Sequence, residues 1–200
     1  FEEENKKLFK RKISLSGDEK RELYKFINFS DEIDWSVLSE MVVGEKSFSS
    51  AAQFLKSRFF WELINDYYYE EFKGEGFTSY FWTMRTLFLY VFNIIKNELP
   101  EAEVYHAVST GYAGLLGILA KHKYQKPLLL TEHGIYARER EEDILKSLWI
   151  SSSFKQLWID FFYFLARGIY NEADKVITLF ERNRKIQLDL GLDRRRSLVI

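Results

Sequence analysis

The chain has 200 residues, of which 46% are apolar, so it is long enough to bury one sizeable hydrophobic core. Its 29 basic and 30 acidic residues leave a net charge of −1, which excludes the broad basic surface typical of nucleic-acid-binding and polybasic membrane proteins. The absence of cysteine excludes a disulfide scaffold, a thiolate nucleophile and cysteine-ligated zinc.

The chain opens with charged residues, Phe1-Glu-Glu-Glu-Asn-Lys-Lys7, where a secretory signal would need an apolar core. The longest apolar run, Thr86-Leu-Phe-Leu-Tyr-Val-Phe-Asn-Ile-Ile95, is shorter than the about 20 residues that span a bilayer. We therefore expect a cytoplasmic protein, and peripheral association with the inner membrane face stays open.

The first half of the sequence has helical periodicity. Ser16-Gly-Asp-Glu19 has the spacing of a capping box, which predicts a helix from residue 17. A residue before proline is pushed out of the α region, so Pro100 should end the last of these helices. The predicted helices cover residues 17–28, a short segment carrying Val37, Leu38 and Met41 after Asp34 as N-cap, a long segment from Ser49 or Ser50 to Phe72, and residues 78–99.

After Pro100, short apolar strands alternate with helices. Strands are predicted over residues 104–108, 128–131, 175–179 and 198–200, and helices over 111–122, 141–173 and 182–190. This alternation predicts an α/β fold with a Rossmann-like, doubly wound parallel sheet. Residues 1–100 would then be the mainly helical part, and 101–200 the α/β part, of the same domain.

Two local features of this half can be checked against the structure. Residues 174–179 have the pattern of a strand buried on both faces. Gly191 stands where the C-terminus of a helix favours a left-handed residue.

The two ends of the sequence lack features that a Rossmann-like domain normally has. A glycine-rich loop after a first strand is missing before residue 30, and the closing Ser197-Leu-Val-Ile200 has no following turn or helix. We therefore expect a domain truncated at both ends. A complete small α/β domain with a helical prelude is the alternative.

The first candidate site follows the first predicted strand. Ser109-Thr-Gly-Tyr-Ala-Gly114 ends the strand and opens a helix, whose first-turn N–H groups can bind an anion or sugar hydroxyls. The alternative is a tight strand-to-helix connection, with Ser109 or Thr110 as N-cap and with Gly114 and Gly117 allowing close packing.

The second candidate site is Thr131-Glu-His-Gly134, at the end of a strand apolar enough to be buried. The imidazole of His133 can donate to a sugar hydroxyl or to a developing phosphate charge, with Glu132 orienting it. The alternative is a hydrogen-bonded core histidine. We predict structural roles for the other two histidines, His106 in the core and His122 on the solvated surface.

Arg138 and Arg140 form a third candidate, because a guanidinium group offers a planar fork of donors to phosphate. A solvated helix face with internal ion pairs is the alternative. Glu181 and Asn183 follow the next strand at the same sheet edge. The sequence has no H-E-x-x-H, clustered D-x-D, Walker loop or G-x-S-x-G pattern, so we expect no metal or cofactor and exclude phosphate-loop NTPases and α/β-hydrolases.

Several long blocks resemble one family. They include Tyr105-His-Ala-Val-Ser-Thr-Gly-Tyr-Ala-Gly-Leu-Leu-Gly117, Leu130-Thr-Glu-His-Gly-Ile-Tyr136, Arg138-Glu-Arg140 and Leu179-Phe-Glu-Arg-Asn183. Over most of residues 45–200 the sequence resembles the amino-terminal half of the glycosyltransferases of the Pel exopolysaccharide pathway, within the retaining family 4 glycosyltransferases.

The resemblance implies a GT-B fold, in which two Rossmann-like domains face a cleft and a sugar is transferred from a UDP-sugar with retention and without a metal. The chain would be the amino-terminal, acceptor-side domain of a hexosyltransferase, with UDP-glucose as the expected donor and a growing polysaccharide or glycan as acceptor. Its partners would be a carboxy-terminal donor domain of the same protein and a membrane-bound polysaccharide synthesis complex. By itself it should be inactive.

The resemblance also implies individual roles. His133 would be catalytic and would lie by the donor sugar and its diphosphate. The expected substrate-binding residues are Ser109, Thr110, Gly111, Tyr112, Glu132, Gly134, Tyr136, Arg138, Arg140, Glu181 and Asn183.

Two other classes of function stay open. A non-catalytic sugar- or nucleotide-binding α/β module would use the same sheet edge without chemistry. A peripheral membrane or assembly protein would use the aromatic segments at residues 54–61 or 157–165, for which core packing is the alternative interpretation.

Overall fold

The computed structural model describes residues 15–43 and 50–200. In chain order the helices are α1 Gly17–Ile27, α2 Trp35–Val43, α3 Ala51–Leu55, α4 Arg58–Tyr67, α5 Phe77–Ile95, α6 Tyr112–Tyr124, α7 Tyr136–Lys146, α8 Lys155–Glu172 and α9 Glu181–Asp189. The strands are β1 Tyr105–Ala107, β2 Leu128–Glu132, β3 Lys175–Thr178 and β4 Ser197–Val199. A π-helical turn, Tyr68–Phe72, extends α4, and 3-10 turns at Ser152–Phe154 and Arg194–Arg196 precede α8 and β4.

Short polar side chains start the amino-terminal helices. The predicted capping box is confirmed at α1, where Ser16 Oγ accepts from the Glu19 N–H at 3.2 Å and the Glu19 carboxylate accepts from the Ser16 N–H at 2.6 Å. Asp34 accepts from the N–H of Ser36 at 2.9 Å at the start of α2, as predicted. Ser50 caps α3, and the other candidate cap, Ser49, lies outside the described residues.

Two of the predicted helix lengths were wrong. The long helix expected after Ser50 is interrupted, because the Ser57 hydroxyl accepts from the Phe60 N–H at 3.0 Å and starts a separate helix, α4. Helix α5 ends before the predicted residue 99. The side-chain amide of Asn97 donates to the carbonyls of Asn93 and Ile94, so it competes for the groups that would continue the helix.

The four strands form one parallel sheet in the order β1-β2-β3-β4, with helices between successive strands. The α/β class, the parallel sheet and the helical amino-terminal part are therefore as predicted. The crossovers between these strands all step in the same direction across the sheet. The predicted left-handed residue is also confirmed, since Gly191 has a φ of 102° after α9.

Only one face of the sheet is covered by the described residues. In the observed register Ala107, Leu130 and Val176 share a face and are buried. On the other face Ile177 is half-buried and Leu198 is 49% exposed. The prediction that β3 is buried on both faces was wrong, because right-handed crossovers stepping in one direction place their helices on the same face.

An aromatic cluster joins the amino-terminal helices to the layer over the sheet. The ring of Phe26 in α1 contacts the rings of Trp35, Phe88 and Phe164, which lie in α2, α5 and α8. Such edge-on contacts stabilise by about 0.5–1.5 kcal/mol per pair beyond simple burial. Most aromatic side chains at residues 54–61 and 157–165, including Phe54, are buried here, which favours core packing over a membrane role for these two segments.

Gly168 in α8 marks the closest approach between these layers. A Cβ atom built there would lie 2.7 Å from Cζ2 of Trp35, whose ring is held by its neighbours. In Gly168→Ala, overpacking should cost about 1–3 kcal/mol, which outweighs the about 1 kcal/mol that alanine contributes to a helix interior. Urea unfolding followed by circular dichroism should therefore show a net loss of stability.

The matched control is Gly17→Ala in α1, where nothing lies within 4 Å of the added Cβ. That variant should stay within about 0.5 kcal/mol of the parent, as is usual for open surface sites. A Gly168→Ala protein more stable than the parent would contradict the close packing of α8 on Trp35.

Candidate functional site at the carboxyl edge of the sheet

The centre of the carboxyl edge is a buried carboxylate. Glu132, the last residue of β2, is 2% exposed. Its Oε1 accepts from the backbone N–H of Tyr136 at 3.0 Å and from the Thr110 hydroxyl at 3.4 Å. Its Oε2 accepts from the Tyr170 hydroxyl at 2.6 Å and from the Gln187 amide at 2.9 Å. One side chain thus links the loop after β1 to α7, α8 and α9.

Burial raises the pKa of Glu132 above its ordinary value, and the donated hydrogen bonds only partly offset this. Burial, reinforced by the nearby Glu132 carboxylate, also raises the pKa of Tyr170 well above 10, so this phenol stays protonated and can donate. Both oxygens of Glu132 are therefore engaged within the protein. The geometry gives Glu132 a positioning role, whereas direct contact with a substrate stays a prediction.

His133 follows Glu132 and is exposed at the edge. Its backbone carbonyl accepts from Nδ2 of Asn183 at 3.0 Å, which fixes the turn after β2 to the first turn of α9. The core-histidine alternative does not fit this exposed position. His133 and Asn183, two of the predicted site residues, are therefore brought together.

Glycines allow close approaches in the turns around His133. A Cβ at Gly111 would lie 2.5 Å from Cε1 of Tyr136, so this turn sits directly under the tyrosine ring. A Cβ at Gly134 would lie 2.2 Å from the Glu139 carboxylate, which folds back over the turn. The loop after β1 and the loop after β2 are therefore packed against each other.

The remaining residues predicted in the loop after β1 are placed at different depths. Thr110 is fully buried on Glu132, and Ser109 is half-buried beside it. Tyr112 is half-buried, and its ring contacts Phe161 and Phe162. Thr110 and Tyr112 are therefore held by contacts within the protein, and both Ser109 and Tyr112 stay partly accessible.

The helices that follow the strands start without side-chain caps. Helices α6, α7 and α9 begin after Gly111, Ile135 and Phe180, and none of these residues makes a side-chain capping hydrogen bond. By contrast, serine hydroxyls cap α1, α3 and α4. The N-cap residues of α6, α7 and α9 therefore leave first-turn N–H groups uncovered, except that the Tyr136 N–H of α7 donates to Glu132. The positive ends of these helices lie along one sheet edge.

A groove of about 220 Å³ lies between the first turns of α7 and α9, and Asn183, which bonds to the His133 carbonyl, is one of its lining residues. It is lined by Ile135, Arg138, Glu139, Glu142, Arg182, Asn183 and Ile186. Within the part of the chain that the structure describes, neither Arg138 nor Arg182 has an ion-pair partner. Both guanidinium groups can therefore offer their donors to an anionic or polyhydroxyl ligand in what we call the arginine groove.

Two of the predicted site residues, Arg140 and Glu181, form ion pairs within the protein. Arg140 pairs with Asp143 at 2.5 Å, and its guanidinium lies 5.2 Å from the centre of the Tyr136 ring, away from the arginine groove. Glu181 pairs with Arg184 at 2.6 Å in the first turn of α9. The ion-paired alternative therefore describes Arg140, while the ligand-facing interpretation fits Arg138.

One edge residue was missed in the sequence. Phe180 is 60% exposed, two residues after β3 ends. A large apolar residue just beyond a buried strand was the available signal. Arg182, which lies between Glu181 and Asn183 in the segment predicted for this edge, lines the arginine groove. Exposed Val108 and Ile200 follow β1 and β4 in the same way.

The roles predicted for the other histidines need correction. His106 is exposed on the open sheet face, where its Nε2 lies 2.8 Å from the Thr131 hydroxyl, so it is not a core residue. His122 is half-buried and pairs with Glu172 at 2.9 Å, rather than standing free in solvent. Both residues lie apart from the groups that line the arginine groove.

Over residues 15–43 and 50–200, no group of three or more histidine, aspartate or glutamate side chains is arranged to hold a metal ion. None of the helices in these two ranges has the length and apolar content needed to cross a membrane.

These features define an α/β protein whose polar candidate site lies at the carboxyl edge of a parallel sheet. The chain belongs to the family described as Domain of unknown function (DUF3492), which matches residues 2–195. It has no match among curated proteins or among solved structures.

The Glu132 network can be tested by a neutral isosteric substitution. In Glu132→Gln one acceptor oxygen is replaced by an NH₂ group, which faces partners that are themselves donors. Buried polar groups then lose their hydrogen bonds, which should lower the free energy of unfolding by about 1–3 kcal/mol. Glu142→Gln on the exposed part of α7 is the matched control and should change stability by less than about 0.5 kcal/mol. Chemical unfolding at constant pH measures both.

The pH dependence of the stability difference between the parent and Glu132→Gln tests the protonation state of Glu132 in the folded protein. The pKa of Glu132 is raised in the folded protein. Its contribution to the free energy of unfolding is therefore fully present below pH 4.5, the ordinary pKa, and is lost as the pH rises through the folded pKa. The stability advantage of the parent over Glu132→Gln should therefore shrink with increasing pH. An advantage that grows with pH would show that the carboxylate is held ionised.

Proposed function

We propose that this chain is the acceptor-side domain of a retaining, metal-independent glycosyltransferase that transfers a sugar from a UDP-sugar, with UDP-glucose as the expected donor, to a growing polysaccharide or glycan. The observation that carries the proposal is exposed His133, whose backbone carbonyl is bonded to Asn183, a residue that lines the arginine groove between the first turns of α7 and α9. The resemblance of the strand-end blocks to Pel-type glycosyltransferases supports the same function.

The geometry suits a ligand rich in oxygen atoms. First-turn N–H groups other than that of Tyr136, which donates to Glu132, can donate to hydroxyl or phosphate oxygens, and the helix ends favour negative charge. The imidazole of His133 can donate to the sugar or to charge that develops on the departing phosphate. Arg138 and Arg182 can each provide a guanidinium fork to phosphate oxygens at the same edge.

In this proposal the cleft is completed by a carboxy-terminal donor domain of the same protein. Transfer requires donor and acceptor to be aligned with water excluded, which a single open sheet edge does not provide. The chain alone should therefore bind a sugar nucleotide weakly and turn it over poorly. We place the enzyme in the cytoplasm, with a membrane-bound polysaccharide synthesis complex as a further proposed partner.

One observation favours a second function, a non-catalytic sugar- or nucleotide-binding module. Of the two carboxylates predicted to bind substrate, Glu132 is fully engaged in hydrogen bonds and Glu181 is paired with Arg184. Neither is free to act as a base. A binding module would use the same N–H groups and arginines without needing one.

The catalytic role of His133 is tested by His133→Ala in the chain joined to its donor domain. Sugar transfer should fall by about two orders of magnitude or more, the scale of losing a well-placed polar group that acts on transition-state charge. The melting temperature should barely change, because the side chain is exposed and only its backbone carbonyl is bonded.

His106→Ala is the matched control for this experiment, since it removes another exposed imidazole from the sheet region without touching the edge. It should leave transfer unchanged. Full transfer activity in His133→Ala would refute the catalytic assignment. A parent protein that binds the sugar nucleotide but shows no turnover would favour the binding module.

The arginine groove is tested by Arg138→Lys and Arg182→Lys, which keep the charge but remove the bidentate fork. Each should raise the calorimetric Kd for UDP-glucose by about 5- to 30-fold, the loss expected for one charge-assisted hydrogen bond of about 1–2 kcal/mol. Arg21→Lys, far along the chain on α1 and paired with Asp18, is the control. If both groove variants bind UDP-glucose like the parent, these arginines belong to a solvated helix face and do not bind the ligand.

A further inference from the structure

A second pocket lies between α7 and α8, outside the groups that surround His133. Its volume is about 220 Å³. It is lined by Arg140, Asp143, Ile144, Ser147, Trp149, Ile150, Trp158 and Phe162. We call it the α7–α8 pocket. Aromatic and aliphatic walls with a few polar groups are the usual composition of a small-molecule binding site.

The polar side of the α7–α8 pocket is an ion pair. Arg140 pairs through one guanidinium nitrogen with Asp143 at 2.5 Å. The two side chains are 37% and 60% exposed, so both can bond to a ligand in the pocket.

The aromatic side of the α7–α8 pocket includes an exposed tryptophan. Trp149 is 73% exposed and stands edge-on to buried Trp158, with ring centres 5.8 Å apart. Leu148 beside it is fully exposed. The contact with Trp158 holds the Trp149 ring at the pocket, and an apolar face presented to it would remove ring area from water.

The combination of these two sides selects the chemistry of the ligand. A pyranose ring has an apolar C–H face for Trp149, and each of its hydroxyls can accept from Arg140 while donating to Asp143. A simple anion would be repelled by Asp143, and a simple cation would be repelled by Arg140. The pocket is therefore suited to a neutral sugar unit.

We propose that the α7–α8 pocket binds one sugar unit of a glycan chain, at a subsite separate from the His133 edge. The proposal rests on the proposed function, because the glycan would be the acceptor. Tyr136 provides the connection, since its ring lies over Gly111 at the edge and also contacts the guanidinium of Arg140. A glycan held in the pocket would extend along α7 toward His133.

The test is a titration of the chain, without any donor, with maltohexaose, cellohexaose and chitohexaose, followed by tryptophan fluorescence. At least one oligosaccharide should give a saturable change. Trp149→Ala should raise its Kd at least tenfold, and Asp143→Asn should raise it severalfold. Trp82→Ala is the matched control, because Trp82 is also exposed, at 54%, but lies on α5.

Other outcomes separate the pocket from the proposed function. His133→Ala should leave oligosaccharide binding unchanged while it abolishes transfer, so binding without any transferase activity would support the pocket and overturn only the proposed function. No response to all three oligosaccharides would overturn the pocket proposal. Equal losses in Trp149→Ala and Trp82→Ala, or displacement of the glycan by uridine monophosphate, would overturn it as well.

Discussion

The carboxylate of Glu132 holds together the segments that form the carboxyl edge. It has no cation beside it in the hydrogen-bond network, so its burial is compensated by donors from Thr110, Tyr136, Tyr170 and Gln187 alone. Removing any one donor would leave this buried carboxyl group less well satisfied, which makes the four segments interdependent. This one side chain ties the loop after β1 to the start of α7 and to residues near the ends of α8 and α9.

This arrangement explains why the neighbouring residue is exposed. Consecutive residues at the end of a strand point to opposite sides, so anchoring Glu132 inside directs His133 outward. Asn183 then fixes the His133 backbone from α9. An open edge with a rigid base is the property that a ligand site requires, because donors held in place need no reorganisation when a ligand arrives. Positioning and contact are thus divided between two adjacent residues.

The aromatic core provides the stiffness behind that edge. Helix α8 carries both Phe164, which contacts the ring cluster around Phe26, and Tyr170, which donates to Glu132. The amino-terminal helices are therefore connected to the candidate site through one helix. The same helix starts beside Trp149, so its two ends border the α7–α8 pocket and the Glu132 network. Many of the aromatic residues of the sequence therefore pack in the layer that connects the amino-terminal helices to the sheet.

Local patterns in the sequence were sufficient for the capping box at Ser16, the left-handed Gly191, the parallel α/β class and the placement of polar turns at the strand ends. These depend on short-range hydrogen bonding and on periodicity, which neighbouring residues determine by themselves. The sequence did not show that both oxygens of Glu132 are engaged in internal hydrogen bonds, that Arg138 and Arg140 face different pockets, or that Phe180 belongs to the edge. These were decided by tertiary structure, because Thr110, Tyr170 and Gln187 reach Glu132 only after distant segments have packed around β2.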